Sequence, residues 1–467
     1  MIVNIMACSK NLTIALLLFL TSLKAVAEEK VYLSWDDVPE IIVSIKEPDI
    51  PNKVYDISDY GAVADGETDA RPVIMKVIAE ASKNGGGKIV MGAGTWFVKG
   101  PIHLLSNIEL HVGKGARLLF SGNPDDYLPQ VLTRWEGTEV FNYSPFIYAY
   151  QASNVALTGE GILDGNTEDG FAVWRPRQRE AQFRLRELGA RQVPVYERVF
   201  GHGDYLRPSM IQFFSCTNVK VEGITIIDSP FWVVHLVSTY NAIVRGITVD
   251  SRRLNNDGVD IESSSNVLIE NNHFTTGDDA IVIKSGRDQD GWRLGRPSER
   301  IVIRNNYMEG HNALAIGSEM SGGVRNVFME NNQLGHVRGS LYFKSNRDRG
   351  GIIENIWIRN IQVENSQRPL IQFRTNYHGL RDGGHAPVIQ NITIENVIAQ
   401  NVGELIYIHG LEEQPINNIV IREVHGISTR LDGDDLEKAL IIDTQSTFIS
   451  NLLLDDVTLN GSSISKK

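Results

Sequence analysis

Five residues in the second half of the chain have side chains suited to acid–base work. Asp257 sits in Asn255-Asn256-Asp257, and Asp278 and Asp279 follow Gly277, 21 and 22 residues further on. His311 and Lys344 come next in order. Hydrolysis of a glycosidic bond needs one carboxylic acid to protonate the leaving oxygen and a second carboxylate to activate water or attack. Three close aspartates supply both, because mutual repulsion raises the pKa of at least one and keeps it protonated. Taken singly, each residue has a plainer reading. An Asp-Asp pair after glycine is usually a turn, a lone histidine a satisfied polar group, and a lone lysine a solvated one. The spacing acquires meaning only in a chain that coils once every twenty-odd residues. Parallel strands stack about 4.8 Å apart, so carboxylates one coil apart would share a patch of solvent, and with loop length subtracted His311 and Lys344 would follow one coil each in the same column.

The elements that must position them repeat in that way. A unit of asparagine, alternating apolar residues, asparagine or glycine, and a second short strand begins at Asn107, Asn154, Asn218, Asn241, Asn266, Arg300, Asn326, Asn355, Asn391, Asn418 and Asn451. Short, similar strands without intervening helices indicate a solenoid. Alternation of Val, Ile and Leu with polar residues sends one side chain in and the next out. The pairs Asn271-Asn272, Asn305-Asn306 and Asn331-Asn332 recur at one place in successive units. Asparagine tolerates left-handed backbone, and stacked amides can bond up a ladder. The expectation is an all-β, single-stranded right-handed parallel β-helix. Its capping α-helix is expected at Thr68–Ser82, capped by Thr68 or Asp69 with Pro72 in the first turn. Residues 28–53 read as an extended lead-in packed along the body. Residues 166–208 read as a loop insertion rich in arginine, with a short helix at Glu180–Leu188. It is either a solvated excursion or a wall at one end of a groove.

Composition adds bounds. Of 467 residues, 42% are hydrophobic and 22% charged, ordinary for a packed protein. The net charge of −12 argues against a nucleic-acid partner. Residues 1–27 read as a signal peptide: Lys10, the apolar run Leu12–Leu20, then Ala25-Val26-Ala27. That run is too short for a membrane anchor. The expected destination is periplasmic or secreted, with residues 28–467 forming a single domain. Loss of Cys8 with the signal leaves Cys216 alone, read as a buried, inert thiol.

The set of motifs resembles the pectin-degrading polygalacturonase family of glycoside hydrolases. The family's Asn-Thr-Asp matches Asn255-Asn256-Asp257, its Asp-Asp matches Asp278-Asp279, its Gly-His-Gly matches Gly310-His311-Asn312, and its Arg-Ile-Lys matches Tyr342-Phe343-Lys344. Tyr60-Gly61-Ala62 and the capping helix also resemble the family's start. The resemblance implies a right-handed parallel β-helix and an inverting hydrolase. In it Asp278 would be the acid, Asp257 and Asp279 would hold and deprotonate water, and His311 would support the acid's protonation state. Lys344 would bind a substrate carboxylate, with Asn255 and Tyr342 also at the substrate. No metal and no cofactor is implied, unlike the calcium-dependent pectate lyases that share the fold. The expected partner is acidic plant polysaccharide (pectin) or its oligosaccharides, cut at α-1,4-linked galacturonic acid. Tyrosine at 342 cannot fork a carboxylate as arginine does. Arg287, Arg347, Arg349 and Arg374 could compensate, or the substrate could be a rhamnogalacturonan or a substituted pectin. The insertion at 166–208 suggests a blocked groove and attack on chain ends. A non-catalytic glycan-binding β-helix and a pectate lyase are the rival readings.

Overall fold

The computed structural model describes residues 32–378, 383–429, 440–442 and 448–464. The expected signal peptide and the first residues of the lead-in lie outside the described residues. Strands pair in parallel from each coil to the next. Val234–Val237 lies beside Val259–Glu262, which lies beside Ile281–Lys284. Tyr240–Arg245 is followed in the same way by Ser265–Glu270 and Ser298–Arg304. Thr248–Ser251 is followed by His273–Thr276 and Tyr307–Ile316. Three stacked sheets thus wrap one core as a right-handed parallel β-helix. An antiparallel hairpin, Val131–Trp135 with Thr138–Asn142, stands apart from them.

The alternating pattern does what it dictates. Val267, Ile301, Val327, Ile356, Ile392 and Ile419 pair in register and are fully buried, one inward side chain per coil. The asparagine pairs divide the labour. Asn271, Asn305 and Asn331 take left-handed backbone at φ 58°, 56° and 56° and turn the chain. Asn272, Asn306 and Asn332 point inward as a buried ladder. Asn306 Oδ1 accepts from the backbone N and Nδ2 of Asn272 at 3.0 and 2.9 Å. Asn332 Oδ1 accepts from both Asn306 nitrogens at 3.0 Å.

The capping helix, α2 here, runs Arg71–Lys83 and buries Ile74, Val77, Ile78 and Ala81 over the core. It starts later than expected because Asp65–Asp69 pairs as a strand with Gly94–Val98. Its N-cap residue is Ala70, not Thr68 or Asp69, and carries no side-chain cap; Asp69 accepts from Arg71 N at 3.0 Å from one residue earlier. The lead-in is not extended throughout. It contains a helix, α1, at Val38–Ser44. Ser34 N donates to Asp37 Oδ2 at 2.7 Å at its start, and Val38, Ile41 and Ile45 recur at helical spacing. With Leu33 they cover outward-facing Ile243, Leu268, Val302 and Phe328 on successive coils. The insertion carries a helix, α3, at Arg179–Ala190, whose Ala181 and Leu185 pack with Trp135 and Val140 of the hairpin. Cys216 is buried, and burial pushes its thiol up to about 11. Among the described residues no helix is long and apolar enough to cross a membrane.

The two asparagine roles are separable by mutation. Asn306→Ala strips a buried amide of four bonds and is expected to cost about 3 kcal/mol. Asn305→Ala adds only left-handed strain and is expected to cost about 1 kcal/mol. Midpoints of guanidinium unfolding check the order.

Candidate active site

Asp257 and Asp279 occupy equivalent points of adjacent coils. Gly258 N donates to Asp279 O at 2.9 Å, and Val259 pairs with Ile281 just beyond. The next coil brings Asn312 to that point. Ala280 N donates to Asn312 O at 2.7 Å, and Asn312 Nδ2 donates to Asp279 Oδ1 at 2.7 Å. Asp278 and His311 each stand one residue earlier, and His311 Nδ1 lies 3.4 Å from Asp278 Oδ1. Polar atoms of Asp278, Asp279 and His311 all fall within 4.8 Å of one another.

Lys344 does not belong to this column. The pairing of Ile316 with Phe343 sets it beside Gly317, and the pairing of Ile283 with Ile316 sets Gly317 beside Lys284. The expected single column is therefore two, because alternation gives each strand several outward positions. Lys344 reaches across, and its Nζ meets Asp279 Oδ2 at 2.6 Å. Both Asp279 oxygens are thus taken by donors, an arrangement that suits a charged carboxylate.

A cleft of about 460 Å³ opens over these groups. Glu136 at the hairpin tip, Gln182, Phe183 and Arg186 of α3, and the turn at Tyr377-His378 form its walls. The insertion is therefore a wall rather than a solvated excursion. It is bolted in place: Gln182 Nε2 and Arg186 Nη2 donate to Glu136 at 2.8 and 2.7 Å, and buried Arg198 Nη1 donates to Asp290 Oδ2 at 2.7 Å. Six lining residues are Lys or Arg and five are Asp or Glu, so the cleft escapes the negative balance of the whole chain.

Burial and the nearby Asp260 and Asp278 carboxylates push Asp257 well above the usual carboxylate range. Its Oδ1 is buried without a hydrogen-bond partner. Burial also acts to raise Asp278, but His311 and Lys344 outweigh it and the carboxyl is held below its usual value. Asp260, beneath the cleft, has neither oxygen hydrogen-bonded; Lys284 Nζ is 3.7 Å away. Burial pushes it well up despite Lys284. Burial acts on Glu319 too, yet Arg287, Lys284 and Arg349 hold it well below the usual range.

The expected substrate residues fare differently. Asn255 lines the cleft, places Nδ2 3.5 Å from Asp278 Oδ2, and accepts from Arg207 Nη2 at 2.7 Å. Arg287 and Arg349 line it as well, but Arg287 is committed to Glu319 and Arg349 to Asp288. Tyr342 is buried with Val282 and Ala315, and Tyr377 lines the cleft in its place. Arg374 lies outside the lining, its guanidinium 4.1 Å from the Tyr407 ring centroid. The arginine insertion and hairpin carry no periodicity, so Glu136 and Arg186 had no sequence signal. Lys284 did, since alternation along Ile281-Val282-Ile283-Lys284 sends it outward with Val282.

Fold and site together define a glycoside hydrolase on a parallel β-helix. The chain belongs to glycosyl hydrolases family 28, whose pattern matches residues 132–430. A second pattern, described as rhamnogalacturonase A/epimerase, pectate lyase-like, matches residues 54–119. The crystal structure of a hyperthermoactive exopolygalacturonase from Thermotoga maritima is 39% identical, covers 91% of this chain and 96% of its own, and superposes with a TM-score of 0.84. A probable polygalacturonase of Vitis vinifera is 27% identical over 384 residues, spanning 78% of this chain and 72% of its own. An exo-poly-alpha-D-galacturonosidase of Dickeya chrysanthemi is 25% identical over 381 residues, spanning 75% and 62%.

The state of Asp260 has a thermal consequence. A carboxyl whose folded pKa is raised binds its proton more tightly in the native state, so stability falls as pH rises above the ordinary carboxylate range. Asp260→Asn removes that dependence. It is expected to melt with the wild type near pH 4 and several degrees above it at pH 8. A variant that melts lower at pH 8 would mean the Lys284 pairing outweighs burial.

Proposed function

We propose that the chain hydrolyses pectin, cutting α-1,4-linked galacturonic acid from chain ends with inversion. The observation that carries this is the convergence of Asp257, Asp278 and Asp279 in a cation-lined cleft walled by α3. The 39% identity to an exopolygalacturonase supports it. An anionic sugar suits a site with six Lys or Arg in its lining. A groove closed by α3 and the hairpin suits a chain end better than a passing polymer.

In this reading Asp278 is the general acid, since it stands outermost and carries His311 against it. Asp279, fixed by Lys344 and Asn312, is the base that takes a proton from water, with Asp257 on the preceding coil holding that water. Carboxyls this close cannot all ionise, and the proton they retain is the one that reaches the leaving oxygen. His311 and Asn255 orient the acid. Lys344 fixes the base and keeps two further N–H donors for a uronate carboxylate. The signal peptide would deliver the enzyme beyond the cytoplasm, to the periplasm or the medium, where pectin is met.

The electrostatics favour a different division of roles: burial and neighbouring carboxylates push Asp257 up, while His311 and Lys344 hold Asp278 down. Aryl galacturonides decide the matter, because a good leaving group needs no acid. Asp278→Asn is expected to lose about a thousandfold in kcat on polygalacturonate and to recover on the aryl glycoside, while Asp257→Asn and Asp279→Asn stay inactive on both. Recovery of Asp257→Asn instead would transfer the acid's role to it. Galacturonate monomer is the expected sole early product. Mid-chain fragments at the start would rule out end attack, and cleavage of rhamnogalacturonan alone would move the substrate.

A further inference from the structure

Beyond His311, on the coils that follow it, stand three arginines that pair with no carboxylate among the described residues. Arg338 Nη1 lies 2.7 Å from His311 Nε2. Arg368 N donates to Arg338 O at 2.8 Å, which sets the two on adjacent coils. Arg374 pairs in register with Lys344 and donates to Gln372 Oε1 at 3.2 Å. Arg368 and Arg374 are half-buried and Arg338 is exposed. Burial and then the charge of Arg338, with Arg374 behind it, pull Arg368 below its ordinary value against the opposing Tyr342 and Tyr377 hydroxyls. Among the described residues no carboxylate forms an ion pair with any of the three. Three partly buried arginines on other strands are matched by carboxylates: Arg304 with Glu270, Arg325 with Glu299, Arg359 with Glu330. Like charges held together without counter-ions are costly and mark a place kept for an anion.

We infer that Arg338, Arg368 and Arg374 form a carboxylate-binding subsite for the uronate residues that follow the scissile bond. This rests on the galacturonan reading above. His311 touches the acid through one ring nitrogen and Arg338 through the other, so the subsite begins where the leaving sugar departs. Tyr342 and Tyr377 floor the approach with rings. Guanidinium groups fork carboxylates, and each sugar of the departing chain carries one. The arginine missing at position 342 is thereby supplied from neighbouring coils.

The test uses Arg368→Gln/Arg374→Gln and the milder Arg368→Lys, which keeps the charge and removes the fork. Trigalacturonate and its carboxyl-reduced, neutral counterpart are the probes. The double variant is expected to raise KM for trigalacturonate about tenfold, the loss of one charged hydrogen-bond pair, with kcat held within about twofold. Its affinity for the neutral trimer is expected to stay unchanged, and the salt dependence of trigalacturonate binding to flatten. Arg368→Lys is expected to lie between, and it carries the test if the double variant does not fold. Unchanged KM in the variants, or an equal loss on the neutral trimer, overturns the subsite. A wild type that neither binds nor cuts trigalacturonate overturns the galacturonan reading itself, and this subsite's ligand with it.

Discussion

Everything in this molecule depends on the hydrogen-bond register between successive coils. In a parallel ladder a shift of one residue would exchange inward and outward side chains. The buried asparagine ladder opposes that shift. An inward amide such as Asn306 bonds the coil before and the coil after at once. Because register is held, two residues separated by a whole coil are placed as reliably as neighbours in a strand. Asp257 and Asp279 owe their juxtaposition to this, and so does the bond from Asn312 to Asp279.

Register brings charges together, and the charges then need counter-ions. Glu319 gathers Lys284 and Arg287 under the cleft, and Lys344 neutralises Asp279. Buried ion pairs contribute little net stability but are damaging to break, so this underlayer fixes positions more than it adds strength. Asp257 and Asp260 are the exceptions. They stay buried without hydrogen bonds to an oxygen each, or to both. The site is therefore assembled from compensated ions around a small number of carboxyls that prefer a proton. Such a mixture is what acid–base chemistry at moderate pH requires.

Much of this was legible from residues alone, for a physical reason. A solenoid turns sequence spacing into spatial adjacency, so the β-helix and the meeting of Asp257, Asp278, Asp279 and His311 could be read from repeats. Lys344 was placed near the site but in the wrong column, since coil spacing says nothing about position along the strand. Tyr342 and Arg374 fall outside the cleft lining for a related reason: which outward residue faces the cleft depends on the loops above it. Those loops follow no period. The hairpin carrying Glu136 and the insertion carrying Arg186 meet through side-chain bonds between residues 50 apart in sequence, and no pattern announces such a meeting. The helix in the lead-in was missed because its apolar residues pair with the outside of the barrel rather than its core.

That lead-in bears on how the chain can be made. Leu33 N donates to Asn326 Oδ1, and Asn355 Nδ2 donates back to Leu33 O, across 293 and 322 residues of sequence. Coils can zip up one after another as they emerge, since each needs only its neighbour. The docking strip for Leu33 and α1 does not exist until the chain has been synthesised past Trp357. The N-terminal segment must wait, undocked, while most of the solenoid forms, and then close over Phe328 and Val302 as a late event. This early segment is thus among the last to find its place, and its arrival staples several coils lengthwise that otherwise touch only in pairs.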